Sequence, residues 1–191
     1  MNVAAVNYND MVNSVDGTAI SVWVCGCPHK CKGCHNPELF DYENKNAMFK
    51  VETTKDMMYF FSVYLRDYFN KNGIERHLSI LGGEPLSPNN ELFTQNLIFL
   101  THTFFPNKKI YLWTGYSLEE LKNKYKDSPD MMETLSYISL MITDRFDINK
   151  RDITLPLRGS SNQRIWRPYS KKIFNKEIVK FKEVTNEFVS N

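Results

Sequence analysis

All four cysteines of the 191-residue chain fall between positions 25 and 34. Three of them, Cys27, Cys31 and Cys34, follow the spacing C-x3-C-x2-C, so one short loop offers three thiolates. Disulfide frameworks spread their cysteines over a small secreted domain, whereas crowding of this kind favours metal ligation. Thiolates are soft ligands suited to iron–sulfur clusters or zinc. A four-iron cluster usually takes four cysteines, and a set of three leaves one iron without a protein ligand, the open position that a substrate-binding metal site keeps. The competing arrangement is a closed zinc knot with Cys25 as fourth ligand, although zinc sites more commonly use two cysteine pairs set further apart. Spacing alone leaves both metals open.

Two further loops carry candidate chemistry: Gly82-Gly83-Glu84-Pro85, with a buried-strand pattern before it, and Trp113-Thr114-Gly115-Tyr116, which ends another. A glycine pair after a strand is most often only a turn, so the weight of these loops depends on what places them near the cysteines.

The elements that must do so are legible as alternation. Residues 18–24 (TAISVWV) form a β-branched and aromatic run that ends in the cysteine loop, and they predict a buried strand. Thr53 or Thr54 can N-cap a helix with Met57, Phe61, Tyr64, Leu65 and Tyr68 at helical spacing and Gly73 as its stop. Residues 76–81 predict the next strand, and Ser87-Pro88 caps a helix that buries Phe93, Leu97, Leu100 and Phe104. A strand over 109–113 follows, then a capping box of Ser117 and Glu120 for a helix over 118–126. Ser128-Pro129 opens another helix, and a strand over 138–143 ends at Asp144. Lys171 to Val184 fits a short strand or a poor helix. Strand and helix alternation implies an α/β fold with a mostly parallel sheet and flanking helices. A full eight-unit barrel needs about 250 residues, so the expectation is an incomplete, TIM-like β/α barrel. Its three glycine-bearing loops converge at one sheet edge, where α/β proteins bind ligands.

Charge adds exclusions. With 24 basic and 22 acidic side chains interspersed along the chain, neither a nucleic-acid footprint nor a polybasic membrane patch is indicated. No apolar run approaches the roughly 18 to 20 residues of a membrane span, and the first 18 residues lack the order of a secretory signal. The expected compartment is the cytoplasm.

Residues 24–38, from Val24 through Cys27, Cys31 and Cys34 to Glu38, resemble the cluster loop of the radical S-adenosylmethionine superfamily. The segments 82–86 (GGEPL), 113–116 (WTGY) and 158–164 (RGSSNQR) narrow the resemblance to the glycyl-radical activases of anaerobic ribonucleoside-triphosphate reductases. It covers residues 3–167, so 1–167 is expected to be the radical S-adenosylmethionine domain and 168–191 a C-terminal extension. The resemblance implies a 4Fe-4S cluster on Cys27, Cys31 and Cys34, with Cys25 a spectator, and S-adenosyl-L-methionine chelated at the open iron. Gly82 and Gly83 would let backbone approach its methionine part and Glu84 would accept from its amino group. Gly33, Cys34 and His35 would meet the adenine side, with Thr114 a further contact. Arg158 and Arg164 would dock the large reductase subunit, and a low-potential donor such as flavodoxin would supply the electron. Within the superfamily the rivals are a pyruvate formate-lyase-type activase or a deazapurine-pathway enzyme; outside it, a non-catalytic four-cysteine zinc domain. Gly33 stands where many members of the superfamily have an aromatic residue, although the reductase activases resemble this chain in using Gly there, and Arg145 follows Asp144 where the family usually has Gly. The second departure questions the turn, because Arg suits positive φ poorly.

Overall fold

The computed structural model describes residues 1–173 and 176–188, with side chains outside 171–178. Among the described residues, eight strands form one sheet in the order β3-β1-β2-β4-β5-β6-β7-β8. The strands are β1 (Asn2–Asp10), β2 (Thr18–Val24), β3 (Phe49–Lys50), β4 (Arg76–Gly82), β5 (Ile110–Trp113), β6 (Leu140–Thr143), β7 (Arg164–Ile173) and β8 (Lys176–Glu183). The central four, β2-β4-β5-β6, are parallel, and β1, β3, β7 and β8 add antiparallel flanks. The sheet as a whole is therefore mixed where the sequence implied mostly parallel pairing. Helical crossovers are needed only between parallel strands, and the two ends of the chain return by direct connections. β7 runs through the division expected at residue 167, so residues on both sides of it belong to the sheet.

Alternation along the strands separates two layers. Ile20, Val22, Val24, Leu78, Ile80, Leu112 and Met141 join the main core with α1 (Thr54–Phe60), α2 (Glu91–Phe104), α3 (Leu118–Lys124) and α4 (Pro129–Ser136). Tyr111, Leu140 and Ile142 face the other way and pack with Ile165 and Val184. Residues i and i+2 share a face of a strand, which puts Trp23, Leu81 and Trp113 on this second face, below the loops that carry the cysteines and Glu84.

Helix boundaries depart from the expectation in informative places. Thr53 and Asp56 form the capping box of α1, but regular α-helix ends at Phe60 and a wider π turn follows over Phe61–Leu65. Met57, Phe61, Leu65 and Phe69 recur every four residues and are all buried, and wider i→i+5 turns keep that spacing on the core side. The second helix starts at Glu91 rather than after Ser87, because Ser87 to Asn90 makes a separate turn. Phe104, expected inside, is 58% exposed at its last residue. No helix among the described residues is long and apolar enough to cross a membrane.

Candidate functional site

The parallel register sets Val24 of β2 opposite Gly82 of β4, so the loops leaving β2, β4, β5 and β6 emerge side by side. They enclose a cavity lined by Cys27, Cys31 and Cys34 from the first, Gly82, Gly83 and Glu84 from the second, Thr114 and Gly115 from the third, and Asp144, Arg145 and Phe146 from the fourth. A second cavity adjoins it, sharing Cys34, Gly82, Trp113, Phe146 and Gln163, and continues along the second sheet face past Trp23 and Leu81 to Arg158. His35 lines this second cavity, whereas Gly33 lines neither, and a Cβ added to it would lie 2.7 Å from the Ile148 side chain. The other residues expected at the site are thus brought together.

The glycine pair is a device for close packing of two loops. Gly82 has φ +109°, and a Cβ there would lie 2.7 Å from the Val24 backbone; at Gly83 it would lie 2.4 Å from the Gly26 carbonyl. Gly83 N–H donates to Val24 O at 2.7 Å and Glu84 N–H to Gly26 O at 2.8 Å. The space the sequence reading reserved for ligand approach is filled on this side by the protein's own cysteine loop. Asn90 fastens the same junction: its Nδ2 donates to the carbonyls of Cys25 at 2.8 Å and Glu84 at 3.0 Å. It stands at the N-cap position of α2 yet makes no cap with its side chain.

Glu84 is 0% exposed and accepts four hydrogen bonds. Oε1 accepts from Leu86 N–H at 2.9 Å and Thr114 Oγ1 at 2.7 Å; Oε2 accepts from Gly115 N–H at 2.7 Å and meets His29 Nε2 at 2.9 Å. Arg145 Nε lies 3.1 Å from His29 Nδ1. An arginine nitrogen only donates, so Nδ1 accepts and the His29 proton sits on Nε2, donated to Glu84. Arg145 also forks onto Glu120 at 2.9 and 3.1 Å. The sequence reading missed His29, Arg145 and Asn90 as builders of the site. Only His29 carried a local signal, its place between two ligand cysteines.

Cys27, Cys31 and Cys34 are partly buried, while Cys25 is fully buried and lines neither cavity. Burial pushes the Cys27 thiol up, opposed by the backbone N–H groups of His29 and Lys30; burial and then Cys34 push Cys31 up, opposed by Phe146 N–H. Those N–H donors stabilise the thiolate form that a metal requires. Among the described residues, no three His, Cys, Asp or Glu side chains are grouped to hold a single metal ion. The donor set of three soft thiols on one cavity wall, with Cys25 turned away, fits a cluster that spans its ligands.

The 158–164 segment braces the site. Arg158 is only 8% exposed, with Nη2 donating to Phe188 O at 2.9 Å and Nη1 to Gln163 O at 3.3 Å; an external docking role for Arg158 is corrected accordingly. Arg164 is solvent-facing, 3.9 Å from Glu183. Gln163 Nε2 donates to Asp144 O at 3.2 Å and Asn162 Nδ2 to Arg145 O at 2.9 Å. The turn after β6 resolves the question over Arg145: the positive φ, +77°, falls on Asp144, a residue type that enters this region more readily than most.

A family model described as a 4Fe-4S single cluster domain matches residues 15–166. The chain is 33% identical over 166 residues to the anaerobic ribonucleoside-triphosphate reductase-activating protein of Enterobacteria phage T4, covering 87% of this chain and 94% of that protein. It is 35% identical over 158 residues to the protein of the same name from Vibrio cholerae, covering 83% and 92%, and 30% identical over 155 residues to that of Escherichia coli K12, covering 81% and 90%. No solved structure matches.

Proposed function

The chain belongs to the family of anaerobic ribonucleoside-triphosphate reductase-activating proteins and contains its 4Fe-4S domain, and from that premise we propose that it is a radical S-adenosylmethionine activase. Its target is a backbone glycine of the large anaerobic reductase subunit. The observation that carries this reading is the single cavity uniting three cysteines with Glu84 and Thr114 at the ends of parallel strands. We also propose that the sheet curves as an incomplete β/α barrel, leaving the second cavity open for a loop of the partner.

Cys27, Cys31 and Cys34 would hold the cluster, and the chemistry it would supply is one-electron reductive cleavage of S-adenosylmethionine to methionine and a 5′-deoxyadenosyl radical. The residues of this chain bind and shield. Glu84 supplies a buried carboxylate for the ligand's amino group, a charge-assisted contact strengthened by exclusion of water. Thr114 and Gly115 keep that carboxylate aimed into the cavity. Trp113, fixed by its Nε1 donation to Leu157 O at 2.8 Å, and Phe146 wall the passage between the two cavities. The target carbon must come within about 3 to 3.5 Å of the reacting carbon, which the adjoining second cavity permits. A low-potential donor such as flavodoxin and a cytoplasmic setting belong to the same proposal.

The test is an anaerobic mixture of reconstituted protein, S-adenosylmethionine, reductant and a reductase subunit, read by electron paramagnetic resonance. A glycine-centred doublet that requires all four components is expected. S-adenosylmethionine cleavage with no such doublet would remove the reductase as target, and no cleavage would remove the radical chemistry.

A further inference from the structure

We propose that His29 and the ligand's amino group compete for the same oxygen of Glu84: His29, anchored by Arg145, holds the carboxylate and yields it to a cationic amine. The inference rests on the reading above that the cavity takes S-adenosylmethionine.

A carboxylate offers about four lone-pair positions, and on Glu84 all four are taken by protein donors. An incoming ammonium group must displace one. Two of the four are backbone N–H groups, of Leu86 and Gly115, which cannot leave without rebuilding their loops. Thr114 Oγ1 also accepts from Tyr116 N–H at 3.2 Å and so holds its own turn together. His29 remains. Its side chain is 6% exposed and lines the cavity, packed edge-on against Tyr116 with ring centroids 4.6 Å apart.

Displacement is favoured because a neutral Nε2–H is exchanged for a full positive charge on the same carboxylate oxygen, which adds Coulomb attraction in a site sheltered from water. The anchor yields easily. Arg145 and its partner Glu120 have side chains 46% and 41% exposed, and exposed ion pairs contribute little. The latch is thus buried at Glu84 and solvent-facing at Arg145, so that His29 and Arg145 can swing outward together. It discriminates by charge: a ligand without the amino group has nothing with which to replace His29.

The experiment is calorimetric titration of anaerobically reconstituted protein with two probes that are not cleaved, S-adenosylhomocysteine, which carries the amino group, and 5′-methylthioadenosine, which does not. His29→Ala should bind S-adenosylhomocysteine about tenfold tighter, one competing hydrogen bond having been removed, with 5′-methylthioadenosine unchanged. Arg145→Gln keeps His29 but frees it, and should show a smaller gain, about twofold to fivefold, for S-adenosylhomocysteine alone; it carries the test if His29→Ala does not fold. In cluster-free wild type, nitrogen-15 spectra should place the His29 proton on Nε2. Weaker S-adenosylhomocysteine binding in either variant would make His29 a support of Glu84 and overturn the proposal, as would equal changes for both probes. Wild type that binds neither probe would overturn the functional reading as well.

Discussion

Asp10 and Glu84 are buried carboxylates at opposite ends of the parallel strands, and each accepts four hydrogen bonds of matching kinds. Both take two backbone N–H groups, one hydroxyl and one side-chain N–H: Val12, Asn13, Ser21 and the Asn13 amide for Asp10, and Leu86, Gly115, Thr114 and His29 for Glu84. They differ in reach. Every donor to Asp10 comes from within the β1–β2 hairpin, at most 11 residues away, whereas His29 is 55 residues from Glu84 and Gly115 is 31. Asp10 closes a turn whose neighbours are pinned over the sheet by Ser79 and by Tyr111, which donates to Asp16 at 2.7 Å. Glu84 ties three loops around a cavity. Equal hydrogen bonding therefore closes one local turn at one end and joins three loops around a cavity at the other.

The largest effect should follow from Glu84→Ala, which strands buried donors on three loops. Unfolding in urea should show a loss of about 3 to 5 kcal/mol, and S-adenosylmethionine affinity should fall about 10- to 150-fold with iron content retained. Unchanged affinity would return Glu84 to the purely structural class of Asp10.

Asp10→Ala should cost less, about 2 to 3 kcal/mol, and leave ligand affinity unaltered. Its acid behaviour sharpens the contrast. Burial pushes the Asp10 carboxyl up, but hydrogen bonds from Asn13 and Ser21 and the N–H groups of Asn13 and Val12 together hold it below the usual carboxylate range. A folded value below the unfolded one means that its stabilisation is complete above the unfolded value and is lost as pH falls through the folded one. Asp10→Asn should therefore flatten the acid limb of a stability–pH curve. A limb as steep as that of wild type would show that other carboxylates control it.

The central strands were legible because β2 is a β-branched and aromatic run and β4 carries Leu78, Ile80 and Leu81 close together, and the cysteine, Gly-Gly-Glu and Trp-Thr-Gly-Tyr loops were legible because each directly follows a strand pattern. β1 was not read as a strand: residues 2–10 (NVAAVNYND) are rich in Asn and Ala, and their pairing depends on β2 and β3. The π turn escaped because a four-residue repeat resembles an ordinary helix until the packing of Phe61 and Leu65 is known. Arg158 read as a surface residue because its acceptor, the Phe188 carbonyl, lies 30 residues downstream. Arg145 reaches His29 across 116 residues, and no local pattern encodes such a contact.

The central claim is that Cys27, Cys31 and Cys34, without Cys25, hold the cluster beside Glu84. Its most direct measurement is iron and sulfide content together with 5′-deoxyadenosine yield for four single Cys→Ala variants, reconstituted anaerobically beside wild type. Wild type and Cys25→Ala should each bind about four irons and cleave S-adenosylmethionine, while Cys27→Ala, Cys31→Ala and Cys34→Ala should not cleave it. Loss of metal and turnover in Cys25→Ala, or cleavage surviving in any of the other three, would contradict the account.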